Sequence, residues 1–214
     1  HKTEKTKITK RLVVSQVARI FDPLGLVGPV VCKAKMFIQK LWKANLQWDD
    51  LLPNVLKGQW CGICLNLGCL FRQYQIPRFV LLPGEIKEMQ IHGFADASMD
   101  AYGACIYIRC ETVTGVISTK LLCSKSRVAP LKSISLPRLE LCAALLLANL
   151  LVMIRKALEN TKCANLKEFL YSDSKITLAW IAASPHKWVT FVANRVTKIQ
   201  NHTGSSIWLH VPSE

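Results

Sequence analysis

Ile91-His92-Gly93-Phe94-Ala95-Asp96-Ala97-Ser98, with Tyr102-Gly103-Ala104-Cys105-Ile106-Tyr107-Ile108 close behind it, decides how this chain is read. The first run reads as a strand ending in a carboxylate, the second as an alternating strand returning beside it. Met99-Asp100-Ala101 between them is short enough for a hairpin connection. A carboxylate on a strand of apolar and small residues is costly to bury unless a metal or cation compensates it. Alone, Asp96 is a weak signal and reads first as a structural strand-end acid.

Two later segments tip the reading. Ser135-Leu136-Pro137-Arg138-Leu139-Glu140 opens a long apolar helix, with Pro137 suited to its first turn and Glu140 just inside it. Phe169-Leu170-Tyr171-Ser172-Asp173-Ser174 reads as a short strand that again ends in Asp. Three carboxylates from three elements can meet at one edge of a sheet. Clustered carboxylates repel one another unless a divalent cation holds them. From Met89 onward there are eight acidic residues, and three stand at these positions, which points to a magnesium site on Asp96, Glu140 and Asp173.

The order FADAS, YGACIYI, PRLELCAALLLA, YSDS is similar to a ribonuclease H domain. The phrases RIFDPLGLVGPV, HGFADASMDAYGACIYIR, SKSRVAPLKSISLPRLELCAALLLANLL and SPHKWVTFVANRV resemble the BEL/Pao class of retrotransposon polyproteins over nearly the whole chain. That family region also goes by the name Pao retrotransposon peptidase. The resemblance implies an α/β fold: a ribonuclease H-like mixed sheet flanked by helices, preceded by a small helical thumb/connection-like module. It also implies a reverse-transcriptase ribonuclease H that cuts the RNA strand of RNA–DNA hybrids by a two-metal mechanism.

Carried over, Asp96 resembles the carboxylate shared by both metals. Glu140 and Asp173 resemble ligands on the leaving-group side, with Glu140 also near the RNA 2′-hydroxyl that distinguishes RNA from DNA. Magnesium is the expected cofactor, with manganese as the alternative. The family's fourth carboxylate is expected beyond the last strand, and Glu214 stands too close to that strand to serve. The segment is therefore expected to bind hybrid and one magnesium better than it cleaves, and it reads as a piece of a longer polyprotein.

At 214 residues, half of them hydrophobic, the chain is globular rather than disordered. Its net charge of +14 suits a polyanionic partner, nucleic acid first among them. Both parts are basic, with 14 Lys+Arg against 6 acids up to Glu88 and 14 against 8 after it. The expected partners are an RNA–DNA hybrid and the rest of the reverse transcriptase polyprotein, with no membrane. Leu141 to Ile154 is uncharged but too short for a membrane span, and reads as a buried core helix. The start does not read as a signal peptide. Nine scattered cysteines suggest reduced core thiols in an intracellular setting, the cytoplasm and a retroelement particle by resemblance. Cys61-x2-Cys64-x4-Cys69 lacks a third-position His and would need Tyr74 as its fourth zinc ligand, so it reads as small hydrophobes on a buried segment.

Residues 1–88 form the helical module. Lys2 to Arg11 is a charged lead-in, and Leu12 to Phe21 has a helical rhythm that Asp22-Pro23-Leu24-Gly25 stops. A second helix follows Pro29, with Lys33, Lys35, Lys40 and Lys43 between its apolar positions. Those lysines fit duplex phosphates and a plainly solvated face equally. Pro53 and Gly58 bracket a break before a third helix over Gln59 to Gln75; Pro77 and Pro83-Gly84 mark the boundary. Residues 89–214 form the second domain, a C-terminally incomplete sheet whose strands begin near Gln90. Its third strand is Lys120 to Ser124, followed by a basic loop carrying Lys125, Arg127 and Lys132. A short helix follows Asp173, another runs from Lys187 to Gln200, and Ile207 to Val211 is the last strand.

Lys125, Arg127, Lys132 and Lys187 are the candidate nucleic-acid contacts. His92 reads as a satisfied structural histidine, and Trp188 as core. Ser98, Ser172 and Ser174 fit either orientation of the aspartates or strand-end polarity. Two other functions stand beside the nuclease: an aspartic peptidase and a non-catalytic nucleic-acid-binding connection domain. The peptidase wants Asp-Thr/Ser-Gly, and neither Asp96-Ala97-Ser98 nor Asp173-Ser174-Lys175 has that Gly.

Overall fold

Caps and apolar spacing set the three helices that open the chain. In the computed structural model, residues 7–73, 75–76, 78–161, 166–204 and 206–212 are described; the lead-in before residue 7, Tyr74, Pro77 and Glu214 lie outside them. Helix α1 (Lys10–Ala18) begins where the Thr9 hydroxyl accepts the Leu12 N–H at 3.2 Å. Helix α2 (Gly28–Lys43) has Pro29 in its first turn and buries Cys32, Ala34, Phe37 and Leu41, leaving Lys33, Lys35, Lys40 and Lys43 exposed. Lys10 is an exception among the lysines. It is buried, its Nζ donating to the Leu46 carbonyl at 2.9 Å and lying 3.9 Å from the Trp42 ring centre.

Helix α3 (Asn54–Gln73) corrects the expected break, because Gly58 lies inside it and only Pro53 precedes it. A mid-helix glycine costs about 1 kcal/mol relative to alanine. Burial of Trp60, stacked on Phe37 with ring centres 5.6 Å apart, opposes that cost. Cys61, Cys64 and Cys69 are exposed, contrary to the buried-segment reading, since the packed side of α3 is set by Leu56, Trp60 and Ile63.

The chain divides into two compact units, His1–Pro23 with Val27–Ile76, and Leu24–Leu26 with Pro77–Glu214. The larger is built on strands β1 (Ile86–Ala97), β2 (Ala101–Thr112), β3 (Ile117–Val128), β4 (Lys167–Ser172) and β5 (Ile207–His210), in the order β3-β2-β1-β4-β5. The first three form antiparallel hairpins, whereas β4 runs parallel to β1 and β5 parallel to β4. The sheet is therefore mixed, as the order of elements implies. Helices α4 (Leu136–Leu158), α5 (Lys175–Ala182) and α6 (Thr190–Thr203) complete the unit.

Several boundaries move. β1 starts at Ile86 rather than near Gln90. β3 pairs along nearly all of β2, Glu111 with Ile117 through Ala101 with Val128, so Lys125 and Arg127 stand on an edge strand and only Lys132 is in the loop. Charged side chains are ordinary on a sheet edge, and backbone pairing rather than side-chain polarity sets the strand's length. Lys187 lies in a 3-10 turn (Pro185–Lys187), and α6 starts at Thr190. The last strand stops at His210.

Two glycines fix close approaches. A Cβ on Gly93 would lie 2.6 Å from Leu147 Cδ1 and 2.9 Å from Leu170 Cδ2, so α4 seats against β1 only where no side chain intervenes. Gly25, at φ +70°, would put a Cβ 1.9 Å from the Ser124 carbonyl oxygen. There the Ser124 N–H donates to the Leu24 carbonyl at 2.7 Å, covering part of the β3 edge. At 23 residues α4 is long and apolar enough to cross a membrane. Its Ala143, Leu146, Leu147, Leu150 and Leu151 instead pack with Ile91, Ile106 and Leu170 of the sheet, and Leu141, Ala144 and Ala148 pack with Val192, Val196 and Ile199 of α6.

Candidate metal centre

Parallel pairing of β1 with β4 puts Ala95 opposite Ser172, so the next residue on each chain, Asp96 and Asp173, emerges side by side. Helix α4 supplies Glu140 from its first turns. One carboxylate oxygen from each of Asp96, Glu140 and Asp173 lies within 4.8 Å of the others. Asp96 is exposed, Asp173 half-buried, and Glu140 only 6% exposed. Burial first, then the charges of Asp173 and Asp96, push the Glu140 carboxyl up to about 7 against a backbone hydrogen bond from Ala97.

Glu140 Oε2 and Asp173 Oδ1 are buried without a hydrogen-bond partner among the described residues. Buried acceptors left open beside a third carboxylate are what a divalent cation would satisfy, and an oxygen-only donor set suits a hard ion. The residues fit a metal.

Among the described residues the serine hydroxyls bond to backbone groups rather than to the aspartate carboxylates. Ser98 Oγ donates to the Ala101 carbonyl and accepts from Asp100 and Ala101 N–H groups, locking the β1–β2 turn. Ser172 Oγ accepts from the Ser174 N–H, and Ser174 caps α5 by accepting from Thr177. His92 is engaged at both nitrogens, Nδ1 with the Tyr171 hydroxyl and Nε2 with Gln90 Oε1, each at 3.1 Å. Burial and nearby Arg109 hold its pKa below the usual histidine value. Trp188 packs at 6.2 Å from Trp180 between ring centres, beside the α4–α6 core.

The four candidate phosphate contacts do not form one cluster. Lys125 and Arg127 are exposed neighbours on β3; Arg127 pairs with Tyr102, which pairs with Ala97. At the usual strand spacing that leaves Arg127 about 10 Å from the Asp96 end of β1. Lys132 is exposed in the following loop. Lys187 borders a separate cavity of about 400 Å³ with Ser135, Arg138, Trp180 and Trp188. Among the described residues no acid lines that cavity, and Trp188 Nε1 is buried without a partner.

One residue near the carboxylates was passed over in the sequence. His210 donates from Nε2 to the Asp173 carbonyl at 3.1 Å across 37 residues of sequence, a contact that only the β4–β5 pairing creates.

A family model described as Pao retrotransposon-like RNaseH-like domain matches residues 9–174, a span that includes all three carboxylates. Comparison with curated proteins gives no match. Among solved structures the chain is similar to LC11-RNase H1 from compost in complex with an RNA/DNA hybrid, at 13% identity and TM-score 0.37, over 58% of this chain and 86% of that one. It is similar to RNase H1 of the archaeon Halobacterium salinarum at 14% identity and TM-score 0.32, over 57% and 86% respectively. It also matches the foamy viral protease-reverse transcriptase in complex with dsDNA at 14% identity and TM-score 0.29, over 94% of this chain and 38% of that one.

Proposed function

The chain belongs to the Pao retrotransposon-like RNaseH-like domain family, and from that premise we propose that it hydrolyses the RNA strand of RNA–DNA hybrids. It is the RNase H-like domain of a retroelement, a nuclease by kind. The observation that carries the finer reading is the convergence of Asp96, Glu140 and Asp173 within 4.8 Å, with two buried oxygens open.

These three side chains would hold magnesium, or manganese in its place. A bound divalent cation supplies Lewis acidity toward a phosphodiester and lowers the pKa of bound water. The chain's own part is to fix the acceptors. β1 and β4 hold the two aspartates in register, while α4 delivers Glu140 from a packed, desolvated position. Lys125, Arg127, Lys132 and Lys187 would take phosphates on either side of the centre. Three acids support one cation better than two, so hydrolysis is expected to be slow relative to hybrid binding. The same reading assigns the protein to a reverse transcriptase polyprotein in a cytoplasmic retroelement particle.

The test is hydrolysis of a labelled RNA–DNA hybrid with and without magnesium, beside Asp96→Asn. Outer partners of a ligand cost 10–100-fold when removed, so losing a ligand itself should cost more than about 100-fold. Pepstatin-sensitive peptide cleavage without a metal requirement would instead identify an aspartic peptidase. Hybrid binding with no magnesium uptake would identify a connection module.

A further inference from the structure

We propose that His210 is a positioning residue for the metal centre: its ring holds the β4–α5 junction from which the Asp173 carboxylate projects. The inference rests on the metal reading above and names a residue outside the acid cluster.

His210 is the last residue of β5 and pairs with Ser172, the last residue of β4. Past that pair the chain leaves the sheet. Asp173 lies outside regular structure, between β4 and the Ser174 cap of α5. Three bonds fix this corner: Ser174 N–H to Ser172 Oγ at 3.2 Å, Val211 N–H to the Ser172 carbonyl at 3.1 Å, and His210 Nε2 to the Asp173 carbonyl at 3.1 Å. The last is a side-chain bond made to Asp173 itself, and a carbonyl only accepts, so Nε2 must carry the proton. Asp173 Oδ1 meanwhile has no partner of its own among the described residues. Its carboxylate is therefore oriented through its backbone, and the backbone is held by His210.

His210 is exposed on a four-residue strand, so its packing contribution is small. What it supplies is direction. A partner outside the ligand set that orients a metal ligand is typically worth 10–100-fold in metal affinity.

The experiment is calorimetric titration of magnesium alone into the full chain, as wild type, His210→Met and His210→Gln. Met keeps the bulk and loses the donor; Gln keeps an amide donor at similar reach. The expected result is that H210M weakens magnesium binding about 10-fold or more. H210Q should stay near wild type, with all three melting at similar temperatures. H210M binding like wild type overturns the inference, as does H210Q falling as far as H210M. A wild-type chain that takes up no magnesium brings down the metal reading and this inference with it, a result distinct from the other two.

Discussion

At Glu140 burial and charge act in one direction. A carboxyl placed among core leucines and beside two aspartates favours its proton, and its pKa rises from 4.5 to about 7. The folded chain then binds more protons than the unfolded chain between those values. The stabilisation is full below about 4.5 and is lost as pH rises through about 7. At 1.36 kcal/mol per pKa unit the span is at most about 3 kcal/mol. Urea unfolding of the metal-free protein at several pH values should show stability falling across that window, and Glu140→Gln should flatten the fall. An unchanged slope in the variant would mean that Glu140 is solvated. His92 behaves in the opposite sense: both its nitrogens are occupied, and burial disfavours its charged form.

The three carrying elements were legible to different degrees. β1, the start of α4 and the end of β4 were readable because each couples a periodic apolar run to one misplaced acid. Their convergence followed from element order and parallel pairing. The extent of β3 was not readable, since Lys125 and Arg127 look like loop residues and only pairing with β2 makes them strand. Nor was the exposure of Cys61, Cys64 and Cys69, because α3 carries little charge to mark its outer side. The His210 contact joins positions 37 apart with no local pattern to announce it. Gly93 shows the element scale at work: it is the point where α4 meets the sheet, and both neighbouring leucines, Leu147 and Leu170, are fully buried. With no room for either to move, Gly93→Ala should destabilise the protein by about 1–3 kcal/mol, as overpacking of a dense core does. Denaturant unfolding would read it. A neutral result would show that the helix can lift from the sheet, and the position of Glu140 would then be adjustable.

At the scale of the whole molecule, 28 Lys+Arg stand against 14 Asp+Glu, a net charge of +14. Of the acids, Asp49, Glu88, Glu111 and Glu168 are already in ion pairs, and Asp96, Glu140 and Asp173 are gathered at one centre. Lys125 and Arg127 are in no ion pair among the described residues and project from the edge strand nearest that centre on its β2 side. If they contact phosphates, hybrid binding must weaken with salt by counterion release, each contact contributing about 0.9 to the slope of log K against log salt. The double substitution Lys125→Gln with Arg127→Gln should therefore lower that slope by about 1 to 2 while leaving the melting temperature unchanged. Lys167→Gln is the matched control, because Glu88 lies 3.2 Å from its ammonium and already answers its charge. Fluorescence anisotropy of a labelled hybrid over a series of potassium chloride concentrations reads both. A double variant with the wild-type slope would move the phosphate path off β3 and toward the Lys187 and Arg138 cavity, where the same titration on Lys187→Gln would find it.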